Sequence, residues 1–105
     1  MRAIVAAERE VRDSQTVDVW IPAHARLQAA ERGVTEQEII ETVLHGRRVP
    51  GHSGRLGAER VVPYNQRWGR RGRIYAQKRI VVYFIEELDS AVVVTVITQF
   101  GQWEG

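Results

Sequence analysis

The chain has 105 residues, 15 Lys or Arg against 13 Asp or Glu, and no cysteine. That length supports one domain over residues 1–105 with one modest core, and the lack of cysteine excludes disulfides and thiolate metal sites. The net charge of +2 conceals an asymmetry: Arg47–Arg79 holds ten bases and one acid, Glu59, leaving five bases and twelve acids for the remainder.

No apolar run reaches the roughly 18 residues of a membrane span, and the Met1–Ala7 stretch is too short for a secretory signal. A cytoplasmic protein with no membrane partner is the expectation. Residues 1–15 are ambiguous between a short strand and a frayed helix, and are read as a loosely attached segment. Val17, Val19 and Ile21 alternate with polar or amphipathic neighbours at the period of a brief strand. Pro22 suits a first helical position, and Ala23–Arg32 is rich in helix formers, stopped by Gly33. Thr35 and Glu38 form a T-x-x-E capping box ahead of an apolar stripe of Ile39, Ile40, Val43 and Leu44, which predicts a second helix ending at Gly46.

From Arg47 onward the pattern changes to strands. Val49 and Val61–Val62 read as short β segments around a glycine-bearing loop. Asn65–Gly72 reads as a turn-rich, arginine-rich connection. Ile80–Ile85 and Ala91–Phe100 are β-branched runs that predict a hairpin around Glu86–Ser90. The expected fold is α+β: two N-terminal helices packed on one face of an antiparallel sheet of about four strands. In the last strand Val92, Val94, Val96, Thr98 and Phe100 are expected to share the face that meets the helices.

Function enters through the basic segment. Arginine forks bind phosphate bidentately, and Tyr64, Trp68 and Tyr75, interleaved with them, are flat side chains on which unpaired bases stack. The run Arg67, Trp68, Arg70, Arg71 and Arg73 is the strongest local signal, and it signals nucleic-acid binding, with RNA as the partner. An Arg-rich solvated surface is the ordinary alternative. His45 and His52 lie near no carboxylate cluster in sequence, and the glycines at 51, 54 and 57 follow no phosphate-loop spacing, so neither metal nor nucleotide cofactor is expected.

The order His24-Ala25, Arg32-Gly33-Val34-Thr35, an Ile/Val-rich helix and Gly46 resembles the family called domain of unknown function 4258, whose pattern is H-A-x-x-R-x-x-x-R-G-I-[ST]. Arg60 followed by Tyr64, the stretch Val93–Val96 and the terminal Phe100-Gly101-x-Trp103-Glu104 agree with it, so the resemblance covers residues 22–104. Where the family pattern has Arg four residues after the His, this chain has Gln28, a departure that bears on activity. The family looks distantly related to RelE toxins and the barnase/EndoU/colicin/RelE ribonuclease superfold. This implies a RelE-like architecture and a small metal-independent endoribonuclease acting on RNA, free or on ribosomes, as the toxin of a toxin–antitoxin pair with an acidic antitoxin.

Such cleavage needs a proton acceptor and donor and cations for the phosphorane-like charge. His24 is the natural acid or base; Arg60 and Arg79 would hold phosphate; Tyr64 would orient RNA or donate a proton; Thr95 would bond a phosphate oxygen. Each has an ordinary alternative: a helix-end contact for His24, strand surface charge for the arginines, packing for Tyr64 and Thr95. Arg32, on one helical face with His24 and Gln28, is read as structural. Two rival readings stand beside the ribonuclease: a non-catalytic RNA-binding module on the same scaffold, and a protein-interaction domain with an acidic partner. Oligomeric state is left open.

Overall fold

The computed structural model describes residues 2–6 and 16–103, and in them two helices cover one face of a six-stranded sheet. The elements are β1 (Arg2–Ala6), β2 (Thr16–Trp20), α1 (Ala23–Glu31), α2 (Glu36–His45), β3 (Arg47–Val49), β4 (Leu56–Trp68), β5 (Arg73–Glu87) and β6 (Ser90–Gly101). Across the sheet the order is β1-β2-β6-β5-β4-β3. The sheet is thus larger than the expected four antiparallel strands, and mixed. β2 lies parallel to the start of β6, with Val19 opposite Ala91, and β1 pairs antiparallel with β2. Parallel neighbours need a long crossover, and everything from α1 to β5 supplies it. Residues 7–15 of the N-terminal segment lie outside the described residues.

Both helices follow their sequence signals. Thr35 accepts from the Glu38 amide while the Glu38 carboxylate accepts from the Thr35 amide, a complete capping box at the start of α2. Pro22 sits at the N-cap of α1, and Gly33 takes φ +74° after its end. α1 packs against β6 through Ala25 and Ala29, whose small side chains let its backbone approach closely; α2 packs on β4 and β5 through Ile39, Ile40 and Val43. The buried core joins these to Ile80, Val82 and Phe84 of β5 and Ala91, Val93 and Val96 of β6.

β6 does not keep a single alternation. Tyr83 pairs with Thr95 but Phe84 pairs with Val93, so Val94 is an extra residue and the face flips across it. Val93 therefore joins Val96 in the core, whereas Val92 and Val94, expected beside Val96, are only half-buried. Lys78 is 4% exposed on the helix side of β5. Its ammonium donates to the Gly33 carbonyl and to Glu38 Oε1, both at 2.8 Å, tying the α1–α2 corner to the sheet.

Candidate nucleic-acid interface

β4 and β5 continue beyond the core as a two-stranded arm. The Asn65–Gly72 stretch, expected to be a connection, is mostly strand: pairing runs out to Trp68 opposite Arg73, and only residues 69–72 turn. Gly69 (φ +87°) and Gly72 (φ +62°) supply the left-handed turn conformations. The register shifts between Pro63 and Gln66, with Asn65 itself at φ +50°, so the arm bends there.

The bend brings the arm's rings together around Phe100 of β6. Trp68 stacks on it at 4.7 Å between centroids and 20° between planes; Tyr64 and Tyr75 meet it at 5.1 and 5.8 Å. Trp68 also lies over Gly33, where a Cβ would come within 2.8 Å of the indole ring. These contacts brace the arm against the body. Tyr64 adds a hydroxyl bond to the Arg67 carbonyl, and Arg67 donates to the Gly72 carbonyl, which closes the tip.

Most of the basic segment divides into two groups once its partners are seen; Arg55, half-buried in the loop before β4, belongs to neither, with no carboxylate partner among the described residues. Arg47 and Arg79 both bind the carboxylate of Glu59. Arg60 pairs with Glu41 at 2.5 Å and Lys78 with Glu38 at 2.8 Å, both acids on α2. Arg48 donates to the Val43 carbonyl and lies 5.0 Å over the Phe84 ring. At the tip, Arg70, Arg71 and Arg73 are exposed, and among the described residues none of them has a carboxylate partner. Burial pushes the Glu59 carboxyl upward, but hydrogen bonds and charge from Arg47 and Arg79 outweigh it, so the net shift is downward. Glu41 is also lowered, by its bond from Gln37 and then by Arg60.

The residues read as catalytic do not gather at one point. Arg60 and Arg79 occupy consecutive cross-strand rows, Arg60 reaching α2 and Arg79 reaching Glu59 on the opposite side of the sheet. Tyr64 belongs to the Phe100 cluster beside Lys78, whose ammonium is 5.2 Å from its ring centroid. Thr95 lies next to Tyr83 on the face away from the helices. His24 lies on α1 with its Nε2 3.3 Å from the Val94 carbonyl oxygen.

His24 is part of a stripe with a structural task. Gln28 Oε1 accepts from the Val96 amide at 2.8 Å, Arg32 donates to the Val96 carbonyl at 2.6 Å, and the Thr98 hydroxyl donates to the Arg32 carbonyl. β2 leaves β6 after Val92, so the remaining length of β6 is a sheet edge, and α1 satisfies part of it with side chains spaced one turn apart. The helical spacing was visible in sequence; the strand edge it serves was not. A cleft of about 610 Å³ runs along this edge, lined in part by Gln28, Arg32, Trp68, Thr98 and Phe100.

No helix among the described residues is long and apolar enough to cross a membrane. A family model described as a domain of unknown function, DUF4258, matches residues 21–98, and the chain belongs to that family. No curated protein and no solved structure matches the chain.

Proposed function

We propose that this protein binds RNA through the β4–β5 arm, with Arg67, Arg70, Arg71 and Arg73 holding the phosphate backbone. The observation that carries this reading is the contrast in pairing: Arg47, Arg60, Lys78 and Arg79 of the body are engaged by Glu59, Glu41 and Glu38, whereas Arg70, Arg71 and Arg73 are exposed, clustered at one tip and face no carboxylate among the described residues. Guanidiniums left free on a braced hairpin lose little entropy when they meet a phosphate, and each contact releases condensed counterions. The order of two helices followed by the β4–β5–β6 meander supports a RelE-like architecture, which favours RNA among polyanions.

Fluorescence anisotropy of a labelled single-stranded RNA, measured across a salt series beside labelled polyglutamate, tests the proposal. Binding to RNA should weaken steeply with salt and exceed binding to polyglutamate. Equal or tighter binding of the acidic polypeptide would overturn it in favour of an acidic protein partner, and no RNA binding at low salt would end it.

A further inference from the structure

The face of the sheet turned away from the helices has no element packed on it among the described residues, yet it is largely apolar. Trp20, Val61 and Ile85 remain 41%, 38% and 40% exposed there. Cross-strand register orders this open face in rows. Ser90 lies beside Glu87, Val92 beside Ile85, Thr95 beside Tyr83, Ile97 beside Val81, and Gln99 beside Arg79. β2 adds Asp18 next to Ser90 and Trp20 next to Val92. β4 adds Gly57 next to Tyr83, Glu59 next to Val81, and Val61 next to Arg79.

The chemistry of these rows is self-complementary. Along β5 the residues on this side are Arg79, Val81, Tyr83, Ile85 and Glu87: cation, apolar, ring, apolar, anion. Reversing the strand about Tyr83 exchanges Arg79 with Glu87 and Val81 with Ile85. β6 repeats the pattern about Thr95, where Ile97 exchanges with Val92 and Gln99 with Ser90. The extra residue Val94 is what turns Val92 and Ser90 onto this face. An isologous dimer needs this property, because each patch meets a reversed copy of itself. Tyr83, at the centre, does not obstruct the approach. Its ring leans over β4, within 3.2 Å of where a Gly57 Cβ would stand, and His52 packs against it at 4.9 Å.

Charge selects the same arrangement. The charged side chains of the face are Arg47, Arg79, Glu59, Glu87 and Asp18 among the described residues. Arg47 and Arg79 share Glu59, so one end carries a net positive charge, while Glu87 and Asp18 make the other end negative. Arg79 bonds Glu59 through Nε and Nη2 and Gln99 through Nη1, which leaves N–H donors on both Nη nitrogens. Two faces stacked with their strands parallel would oppose like charges. Stacked antiparallel, each Glu87 lies over the cationic end of the other copy.

We propose that this protein forms a two-fold symmetric dimer by stacking the open faces of two copies, with the axis across the strands at the Tyr83–Thr95 row. Val81 of each copy packs on Ile85 of the other, at the spacing of about 10 Å usual between stacked sheets. From Arg79 to Glu87 over three strands the patch measures about 26 by 14 Å. That footprint is modest beside the roughly 800 Å² each partner buries in a standard interface, so the dimer forms at micromolar rather than nanomolar concentration. The β4–β5 arms leave it from opposite ends, and the inference does not depend on what they bind.

Sedimentation velocity of the full chain at rising concentration tests this, and the mass should move from one chain toward two. Ile85→Arg, and Glu87→Arg, which sets a cation against Arg79 of the second copy, should each weaken association about 10-fold or more. Arg70→Ala with Arg71→Ala should leave it unchanged. Because the chain has no cysteine, Thr95→Cys puts its one thiol on the axis. A short bis-maleimide should join two such chains readily, and should hardly join Leu88→Cys, whose site is 99% exposed at the far end of each face. This cross-link decides the matter should Ile85→Arg fail to fold. A wild type that stays one chain at every concentration would overturn the dimer. So would association indifferent to both arginine substitutions, or Leu88→Cys joining as readily as Thr95→Cys.

Discussion

Lys78 and Arg70 belong to the same basic segment and lead opposite lives. Lys78 is buried, shared between a carbonyl and a carboxylate, and works as a tie between the helix corner and the sheet. Arg70 stands at the tip of a hairpin with no acid beside it among the described residues. The difference teaches that a charge count along the chain overstates what is available to a partner. Two acids of α2 reach across to β4 and β5 and absorb part of the segment's charge, so the free cations concentrate in the arm.

The largest effect should come from the buried side of that contrast. Lys78→Met leaves the Gly33 carbonyl without its ammonium and Glu38 without its cation, and breaking such a pair costs about 3 kcal/mol. Urea unfolding should show a lower midpoint with an unchanged slope. RNA affinity of the folded fraction should stay near wild type, because the ammonium is not offered to solvent. A comparable loss of RNA affinity would break the division between structural and free cations.

Arg70→Ala combined with Arg71→Ala should do the converse. Stability should change by less than about 0.5 kcal/mol, as for surface substitutions generally. RNA affinity should fall about 10-fold near 0.1 M salt, and the slope of log affinity against log salt should flatten by about two, one for each lost phosphate contact. An unchanged slope would show that these two residues touch no phosphate.

Acid titration sharpens the comparison on the open face. Because the folded-state value of Glu59 lies below its ordinary 4.5, its stabilising contribution is complete above that pH and disappears as pH falls through the lower folded value. Glu41 shifts in the same direction but belongs to an exposed pair, so its share is small. Thermal melts of wild type should decline below about pH 5, the acid limb set by its ordinary carboxyl value. Glu59→Gln should be less stable at neutral pH and decline less steeply with acid. Parallel curves for the two proteins would mean that the Arg47–Glu59–Arg79 cluster contributes nothing to folding.

Local chemistry accounts for what was legible in advance. The Thr35–Glu38 capping box, the Gly33 stop and the β5–β6 hairpin each depend on residues a few positions apart, and each is present where the pattern placed it. The β segment expected at Val49 is β3; the sheet's true width was hidden because β1 lies in a stretch read as strand or helix, and β2 joins the sheet only by pairing parallel with β6, far along the chain. The reading of β6 failed at Val94, since one unpaired residue reverses the alternation on which face assignment rests. For the candidate site, the concentration of arginine in one segment was visible. Which arginines were already engaged depended on Glu38 and Glu41, which lie 40 and 19 positions from their partners Lys78 and Arg60.

Position 28 yields the smallest and most discriminating prediction. The resemblance read from the sequence expects arginine there; here Gln28 accepts from the Val96 amide while Arg32 donates to the carbonyl of the same residue. Glutamine offers both a donor and an acceptor, whereas a guanidinium only donates. Gln28→Arg therefore leaves the amide to water and sets two cations one helical turn apart beside one carbonyl. Because the site is at a sheet edge within reach of solvent, the cost should be only about 0.5–1 kcal/mol, a single hydrogen bond's net worth. The Val96 amide should exchange its proton faster in that variant. If it does not, α1 guards the strand edge by covering it rather than by bonding to it, and the His24–Gln28–Arg32 stripe becomes available for a role in the neighbouring cleft.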